Sequence, residues 1–158
     1  MRLPPFQTLL DAHGRDVHRF LVALVGSVDA DDAYQETWLA ALRGYPELRQ
    51  AANLKGWLFT IAHRKAIDHA RARGRRATPV AEPADLPQAP VADAPVAGGD
   101  DLWAAVAALP DKQRTAVALR FIADSAYAEI AVAMETSEEA ARRNVHEGLK
   151  RLRKEAVR

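Results

Sequence analysis

The sequence predicts an all-α protein made of two small helical domains, and three observations lead to that prediction. Hydrophobic residues make up 49% of the 158 residues but aromatic residues only 6%, a composition that favours packed helices over sheets. Apolar residues recur at three- and four-residue steps in several segments, as they do on one face of a helix. A run of prolines in the middle of the chain divides these segments into two groups. We therefore predict domains at residues 1–76 and 102–158, joined by a linker at 77–101.

The predicted linker is rich in proline and alanine and carries a net negative charge. No helix can run through it, because prolines recur at Pro79, Pro83, Pro87, Pro90 and Pro95. Residues 79–101 have a net charge of −5, whereas 51–78 carry +6 and 136–158 carry +3, within a total of +1. The sequence thus indicates two basic segments separated by an extended, solvated connector.

Two helices are predicted in the first domain. Asp29 is expected to cap a helix that ends at Gly44, before Pro46, and that packs through Tyr34, Trp38 and Leu42. The second begins at Asn53–Leu54 and directs an apolar face inward, formed by Trp57, Leu58, Ile61 and Ala62. Its far end becomes basic through Arg64, Lys65 and Arg71, a pattern typical of a surface that binds an anionic partner.

The second domain contains a predicted helix-turn-helix. A helix from Pro110 to Phe121 is expected to pack on it through Val117 and Phe121. The motif consists of a helix at Tyr127–Met134, a turn at Glu135–Thr136 and a second helix from Ser137, which the capping-box pattern of Thr136 and Glu139 would start. One stripe of the second helix is apolar, namely Ala141, Val145, Leu149 and Leu152. Its other faces carry Arg142, Arg143, His146, Lys150 and Arg153. The pattern fits a DNA-recognition helix, and it also fits a solvated basic helix of an ordinary bundle.

Composition excludes several kinds of site. The chain contains no cysteine, which excludes disulfides, thiolate metal sites and thiol redox chemistry. No apolar run approaches the roughly 20 residues needed to span a bilayer, and no leader peptide is evident, so we expect a cytoplasmic protein without membrane insertion. No glycine-rich phosphate loop or catalytic constellation is present, and all five histidines are expected at the surface or its boundary. We predict no enzyme activity, no catalytic residue, no metal site and no cofactor.

Four segments, in order along the chain, resemble the extracytoplasmic-function (ECF) subgroup of the sigma-70 family, the promoter-specificity subunits of bacterial RNA polymerase. Asp29–Trp38 is similar to the family pattern D-A-x-D-x-x-Q-E-x-F, and Trp57–Asp68 is similar to W-L-x-x-I-A-x-N-x-x-x-D. Leu109–Arg114 and Tyr127–Ala131 follow the pattern of the second domain. Several positions depart from the family. Arg64 stands where asparagine is usual, and Glu135 replaces the customary glycine of the turn. The face formed by Glu138–Glu139 and Arg142–Asn144 is also unusual for a recognition helix.

The resemblance implies that RNA polymerase core and promoter DNA are partners of the protein, and it allows an anti-sigma factor as a further one. The implied core-binding residues are Asp31, Asp32, Gln35 and Glu36. The minus-10 element would be bound by Trp57, Arg64, Lys65 and Arg71, with Glu47–Lys55 as the loop that captures a flipped base. The minus-35 element would be bound by Ser137, Arg142, Arg143, His146 and Lys150, with Arg142 favoured as the residue that reads a base.

The implied function is a sigma factor that binds core polymerase, recognises a promoter, opens the minus-10 region and starts transcription. Two alternatives remain open. A stand-alone helix-turn-helix regulator would bind operator DNA without polymerase. A small helical metal-dependent hydrolase would use the acidic cluster Asp29–Glu36, although no histidine joins that cluster at a fitting spacing.

Overall fold

The computed structural model describes residues 3–49, 53–77 and 100–157, and this part of the chain forms helices and turns without a strand. The helices, numbered in chain order, are α1 (Phe6–Gly44), α2 (Leu54–Ala77), α3 (Asp100–Ala107), α4 (Asp111–Phe121), α5 (Tyr127–Met134) and α6 (Glu138–Val157). A 3₁₀ turn, Tyr45–Glu47, follows α1. We call α1 and α2 the N-lobe and α3 to α6 the C-lobe. The all-α, two-lobe prediction is confirmed; the predicted linker lies outside the described residues, except at its two ends.

Helix α1 is longer than the sequence pattern predicted. It begins at Phe6 and is interrupted at Gly26, whose φ of 86° and ψ of 163° are not helical. Such a positive φ is readily available only to glycine, so Gly26 allows a break in the middle of a buried helix. The predicted cap at Asp29 is wrong, because the helix already continues on both sides of that residue. The predicted end at Gly44 is confirmed.

The core of the N-lobe lies between α1 and α2. Phe20 and Phe59 are fully buried there and make an edge-to-face contact, with ring centroids 5.2 Å apart. Trp38 is buried and Tyr34 half-buried, as predicted, but Leu42 is 52% exposed, so this part of the predicted apolar stripe is wrong. On α2, Leu58 and Ala62 are fully buried and Trp57 and Ile61 partly buried.

The C-lobe contains the predicted helix-turn-helix. Helix α5 has the predicted bounds, and α6 packs through Ala141 and Val145, with Leu149 and Leu152 partly buried. Pro110 precedes α4 as its cap rather than standing inside it. Val117 is buried as predicted, whereas Phe121 is 56% exposed and does not pack against the motif.

The start of α6 differs from the predicted capping box. Ser137 Oγ accepts a hydrogen bond from the Ala140 N–H at 3.0 Å, so Ser137 rather than Thr136 caps the helix. The side chain of Glu139 is exposed.

The turn between α5 and α6 passes through a left-handed residue. Glu135 has φ 54° and ψ 51°, and its N–H bonds the carbonyls of Ala131 and Val132 at the end of α5. The side chain of an L-residue is strained in this region and glycine is not. We therefore expect Glu135→Gly to raise the free energy of unfolding by about 0.5–1 kcal/mol, measured by denaturant unfolding. Glu139→Gly, a change within the helical first turn of α6, is the control and should be destabilising. A loss of stability in Glu135→Gly would contradict the assigned strain.

Candidate nucleic-acid interface

The predicted core-binding residues lie together on the segment of α1 that follows the break at Gly26, and all four are exposed: Asp31, Asp32, Gln35 and Glu36. We call them the acidic face. Two of them have partners inside the protein. Asp31 Oδ1 lies 3.1 Å from Nε2 of His18, and Glu36 Oε1 lies 3.2 Å from Nε2 of His69. Asp32 and Gln35 have no side-chain partner among the described residues. They are the members of the acidic face whose polar atoms are available to another molecule.

The acidic face continues into an apolar one. Leu39 and Leu42 are about half exposed, and with Asp32 and Gln35 they follow the three- and four-residue steps of one helical face. Sequence analysis missed this extension, because the periodicity placed Leu42 on the buried stripe. Asp29, on the other hand, is directed to α2, where its carboxylate meets Arg73 at 2.6 Å.

The acids of segment 29–36 do not converge. Asp29 contacts Arg73, Asp31 contacts His18 and Glu36 contacts His69, so each is directed to a different partner. Within the described ranges, no group of three or more His, Asp or Glu side chains is arranged to hold a metal ion. The geometry therefore gives the metal-dependent alternative no support.

Cationic side chains line the outer part of α2. Arg64 and Arg71 are exposed, and Lys65 is partly buried. Trp57, at the other end of the helix, is partly buried, and its ring centroid lies 6.2 Å from that of Tyr45. The predicted minus-10 residues thus extend along α2. The indole ring of Trp57 is partly accessible at one end, and the guanidinium groups of Arg64 and Arg71 are accessible farther along the helix. Residues 50–52 of the predicted base-capturing loop lie outside the described part.

The start of α2 depends on Asn53, a residue that sequence analysis placed both at the beginning of this helix and within the base-capturing segment. Asn53 adopts a left-handed backbone (φ 57°), and its Oδ1 accepts a hydrogen bond from the Gly56 N–H at 3.1 Å. A Cβ at Gly56 would collide with the Asn53 amide, so the glycine leaves room for the cap. The sequence signal for this cap is an asparagine directly before a helix, with a glycine three residues later.

His63 is a buried histidine, contrary to the expected position at the surface or its boundary, and only 7% of it is exposed. Burial lowers its pKa below the ordinary 6.5, and the neighbouring positive charge of Arg64 lowers the pKa further. His63 lines a cleft that also contains Arg71, Asp111 and Arg114.

The lowered pKa of His63 predicts a pH dependence of stability. The unfolded chain takes up the proton at a higher pH than the folded one, so stability is present above the unfolded pKa of 6.5 and is lost as the pH falls below it. We expect His63→Gln to show a smaller loss of unfolding free energy between about pH 7.5 and 5.5 than the parent. His146→Gln, at an exposed position, should retain the parental slope. Equal slopes for the His63 variant and the parent would contradict this assignment.

The recognition-helix candidate α6 exposes all its predicted DNA-facing side chains: Ser137, Arg142, Arg143, His146 and Lys150. Arg142 is engaged within the lobe, because it contacts Glu138 at 2.8 Å and its guanidinium lies 4.9 Å from the centroid of the Tyr127 ring. A second guanidinium, that of Arg120, lies 4.6 Å from the same ring. Arg143 has no side-chain partner in the described part of the chain.

Comparison with known proteins identifies both lobes. Residues 9–76 match the family model of Sigma-70 region 2, and residues 99–152 match that of Sigma-70 region 4. Over 130 residues, the chain is 32% identical to the ECF RNA polymerase sigma factor SigC of Mycobacterium tuberculosis, an alignment that covers 79% of this chain and 69% of that protein. The chain belongs to the ECF RNA polymerase sigma factors.

Other ECF sigma factors match over nearly the whole chain. SigE of Mycolicibacterium smegmatis is 31% identical over 96% of this chain, which spans 61% of the length of SigE. SigX of Bacillus subtilis is 28% identical over 94% of this chain and 82% of its own. The fold is that of the sigma factor RpoE in its complex with the anti-sigma factor NepR from Bartonella quintana, with a TM-score of 0.81, 24% identity and 94% of each chain covered. Within the described residues of this ECF sigma factor, no helix is long and apolar enough to cross a membrane.

Proposed function

We propose that this ECF sigma factor binds RNA polymerase core in the cytoplasm and directs it to promoters through contacts with the minus-35 and minus-10 elements. It contributes no catalysis of its own. The observation that carries the proposal is the helix-turn-helix, in which α6 buries Ala141 and Val145 and exposes a row of basic side chains. This is the arrangement that a helix needs in order to enter a major groove.

Core docking is assigned to the acidic face of α1. Asp32 and Gln35 supply its free polar groups, and the exposed Leu39 and Leu42 continue the same face. A surface with apolar contacts at one end and a carboxylate at the other fits a basic helical partner, because charge complementarity steers association while apolar burial contributes affinity. Asp31 and Glu36 support this face through their histidine contacts and also remain exposed to a partner.

Minus-10 binding is assigned to α2. Arg64, Lys65 and Arg71 would neutralise phosphates along the strand, and Trp57 offers an aromatic surface beside the open duplex. The lowered pKa of His63, between Ala62 and Arg64, favours its neutral form, so the positive charge of this segment resides on arginine and lysine.

Minus-35 binding is assigned to α6. Ser137 caps the helix through its Oγ, so its contribution to DNA binding would be to set the start of the helix and present nearby N–H groups to a phosphate. Arg143, His146 and Lys150 face away from the buried stripe. The preference for Arg142 as the base reader stays a prediction, but its contacts with Glu138 and Tyr127 favour the reverse assignment, in which Arg143 reads the base.

The two arginines should give different results when each is replaced by alanine. Arg143→Ala is expected to cost about 1–3 kcal/mol on the preferred promoter and to relax the preference at one base pair, because a base-edge contact is lost. Arg142→Ala should weaken binding to all DNA sequences alike, because it mainly removes a contact with the DNA phosphate backbone. It also removes the contacts with Glu138 and Tyr127 that support α6. Holoenzyme binding to matched and single-base-altered minus-35 sites, measured at several salt concentrations, tests this. Unchanged binding of the variant that carries both Arg142→Ala and Arg143→Ala would show that α6 does not read the minus-35 element.

The test of the proposed function compares DNA binding with and without core polymerase. With a net charge of only +1, the free protein should bind promoter duplex weakly at physiological salt, and core should be required for tight, specific binding. A stand-alone regulator would bind its operator tightly by itself. Tight, specific binding that is unchanged by core would therefore favour that alternative and overturn the proposal.

A further inference from the structure

Two glutamates stand in the first turn of α6, and only one of them is paired. Glu138 Oε1 lies 2.8 Å from Nη2 of Arg142, four residues along the helix. Glu139 has the same relation to Arg143, and a glutamate four residues before a cation is the order that favours an ion pair on a helix. That second pair is not formed. Neither Glu139 nor Arg143 has a side-chain partner among the residues that the structure describes.

Glu139 also does not cap its own helix. The sequence pattern assigned it the reciprocal bond of a capping box, in which the carboxylate accepts the N–H of the capping residue. In the structure Ser137 Oγ accepts the Ala140 N–H, and the described contacts contain no hydrogen bond to the carboxylate of Glu139. Glu138 already places a negative charge beside the positive end of the helix dipole. Neither pairing nor capping within α6 therefore accounts for Glu139.

Glu139 lies on the row of α6 that is assigned to DNA. The row continues, in steps of four, three and four residues, with Arg143, His146 and Lys150, and all four side chains are exposed. The packed face, which contains the buried Ala141 and Val145, lies on another side of the helix. The first turns of a recognition helix are the part that reaches base edges. Glu139 is thus the first side chain of this row at the end that enters the groove.

A carboxylate in a major groove selects a hydrogen-bond donor. It is repelled by the phosphates and by the acceptor atoms N7, O6 and O4 of the base edges. The donors in this groove are the amino groups at N4 of cytosine and N6 of adenine. Adenine presents its amino group beside the N7 acceptor, an arrangement that suits an amide and repels a carboxylate. Cytosine presents its amino group without a neighbouring acceptor, so cytosine is the base that fits Glu139.

Arg143 is the complement of Glu139 in this reading. An arginine donates two hydrogen bonds to O6 and N7 of guanine, the most common specific contact in the major groove. Four residues of helix rise about 6 Å, or about two base-pair steps of 3.4 Å. The cytosine and the guanine are therefore expected within about two base pairs of each other. The charges of Arg142 and Arg143 also offset the repulsion between the carboxylate and the phosphates.

We propose that Glu139 is a specificity-determining residue of this sigma factor, and that it accepts a hydrogen bond from the N4 amino group of a cytosine in the minus-35 element. This assignment rests on the proposed function and deepens it by naming a base that α6 reads. It also gives the two glutamates different roles. Glu138 holds Arg142, whose guanidinium lies over the Tyr127 ring, and Glu139 is left free for DNA.

The first test compares holoenzyme that carries Glu139→Gln with the parent holoenzyme. The amide of glutamine forms two hydrogen bonds with N6 and N7 of adenine, so the preference at one minus-35 position should change from cytosine to adenine. The parent should favour cytosine there by about 5- to 150-fold, and the variant should lose at least about fivefold of that preference. Binding is measured on duplexes that share one minus-10 element and are altered at one minus-35 position at a time.

Glu139→Ala separates base reading from simple repulsion of the DNA backbone. Loss of a base reader lowers affinity for the preferred site, so that this site and its variants at one position bind about equally. Loss of a carboxylate that only repels phosphates raises affinity for all sites alike. We expect the first result, with unchanged helicity because alanine favours the helix. A uniform gain in affinity with unaltered base preferences would overturn the proposal.

Glu135→Gln is the matched control, because it makes the same change at an exposed glutamate in the turn before α6. Its preference at every minus-35 position should stay within about twofold of the parental value. A parent holoenzyme without any minus-35 preference would contradict the proposed function, and the role of Glu139 with it. A selective parent whose preferences survive both Glu139 variants, or change at a position that does not favour cytosine, would overturn only the role of Glu139.

Discussion

Phe20→Ala is expected to lower the free energy of unfolding of the N-lobe by about 3–5 kcal/mol, the range for removal of a large aromatic side chain from a core. The ring is fully buried and packs edge-to-face on Phe59, so its removal leaves a cavity and ends an aromatic contact between α1 and α2. Denaturant unfolding followed by circular dichroism measures the change.

Phe121→Ala is the matched control, because this phenylalanine is 56% exposed. We expect it to cost less than about 1 kcal/mol. If the two substitutions destabilised the protein equally, the assignment of the core between α1 and α2 would be wrong.

Placing positive charges at Asp32 and Gln35, the two unpartnered positions of the acidic face, should weaken core binding by about 1–3 kcal/mol, or about 5- to 150-fold in Kd. The variant is Asp32→Lys with Gln35→Lys, chosen because neither side chain has a partner within the described part of the protein. Glu36 is left intact, since its reversal would also break the contact with His69. The effect should act largely through the association rate and decrease as salt is added.

Asp11→Lys supplies the same type of charge change at an exposed position on the first segment of α1. It should leave core affinity within about twofold of the parent, and helicity should be unchanged in both proteins. Unaltered core affinity in the double variant would show that docking uses another surface.

Local signals were sufficient to predict the helix-turn-helix of the C-lobe, but they did not predict α3. Helix α5 has the predicted bounds because a short apolar helix is followed by a turn, and the turn passes through Glu135 as predicted. The apolar stripe of α6 is correct because a buried face imposes its period on the sequence.

The sequence did not predict features that depend on which neighbour covers a residue. Leu42 and Phe121 fit the period of an apolar stripe, but no described element covers them fully, and both are more than half exposed. The sequence before the first half of α1 contains no recognisable capping residue, so the start of this helix was not predicted. The break at Gly26 is visible only in the φ and ψ angles of that residue. The partners of Asp31 and Glu36 are 13 and 33 residues away, and Asn53, which donates a hydrogen bond to Glu129, is 76 residues from it, beyond the range of local patterns.

In vitro transcription with purified core polymerase, on templates randomised at both promoter elements, tests the central claim most directly. We predict that adding this protein selects transcribed templates that share two motifs at a fixed spacing. Asp32→Lys with Gln35→Lys should reduce all transcripts, while Arg143→Ala should alter the preference only in the minus-35 motif. Transcription no greater than that of core alone, or selected templates with no shared minus-10 and minus-35 motifs, would contradict the account.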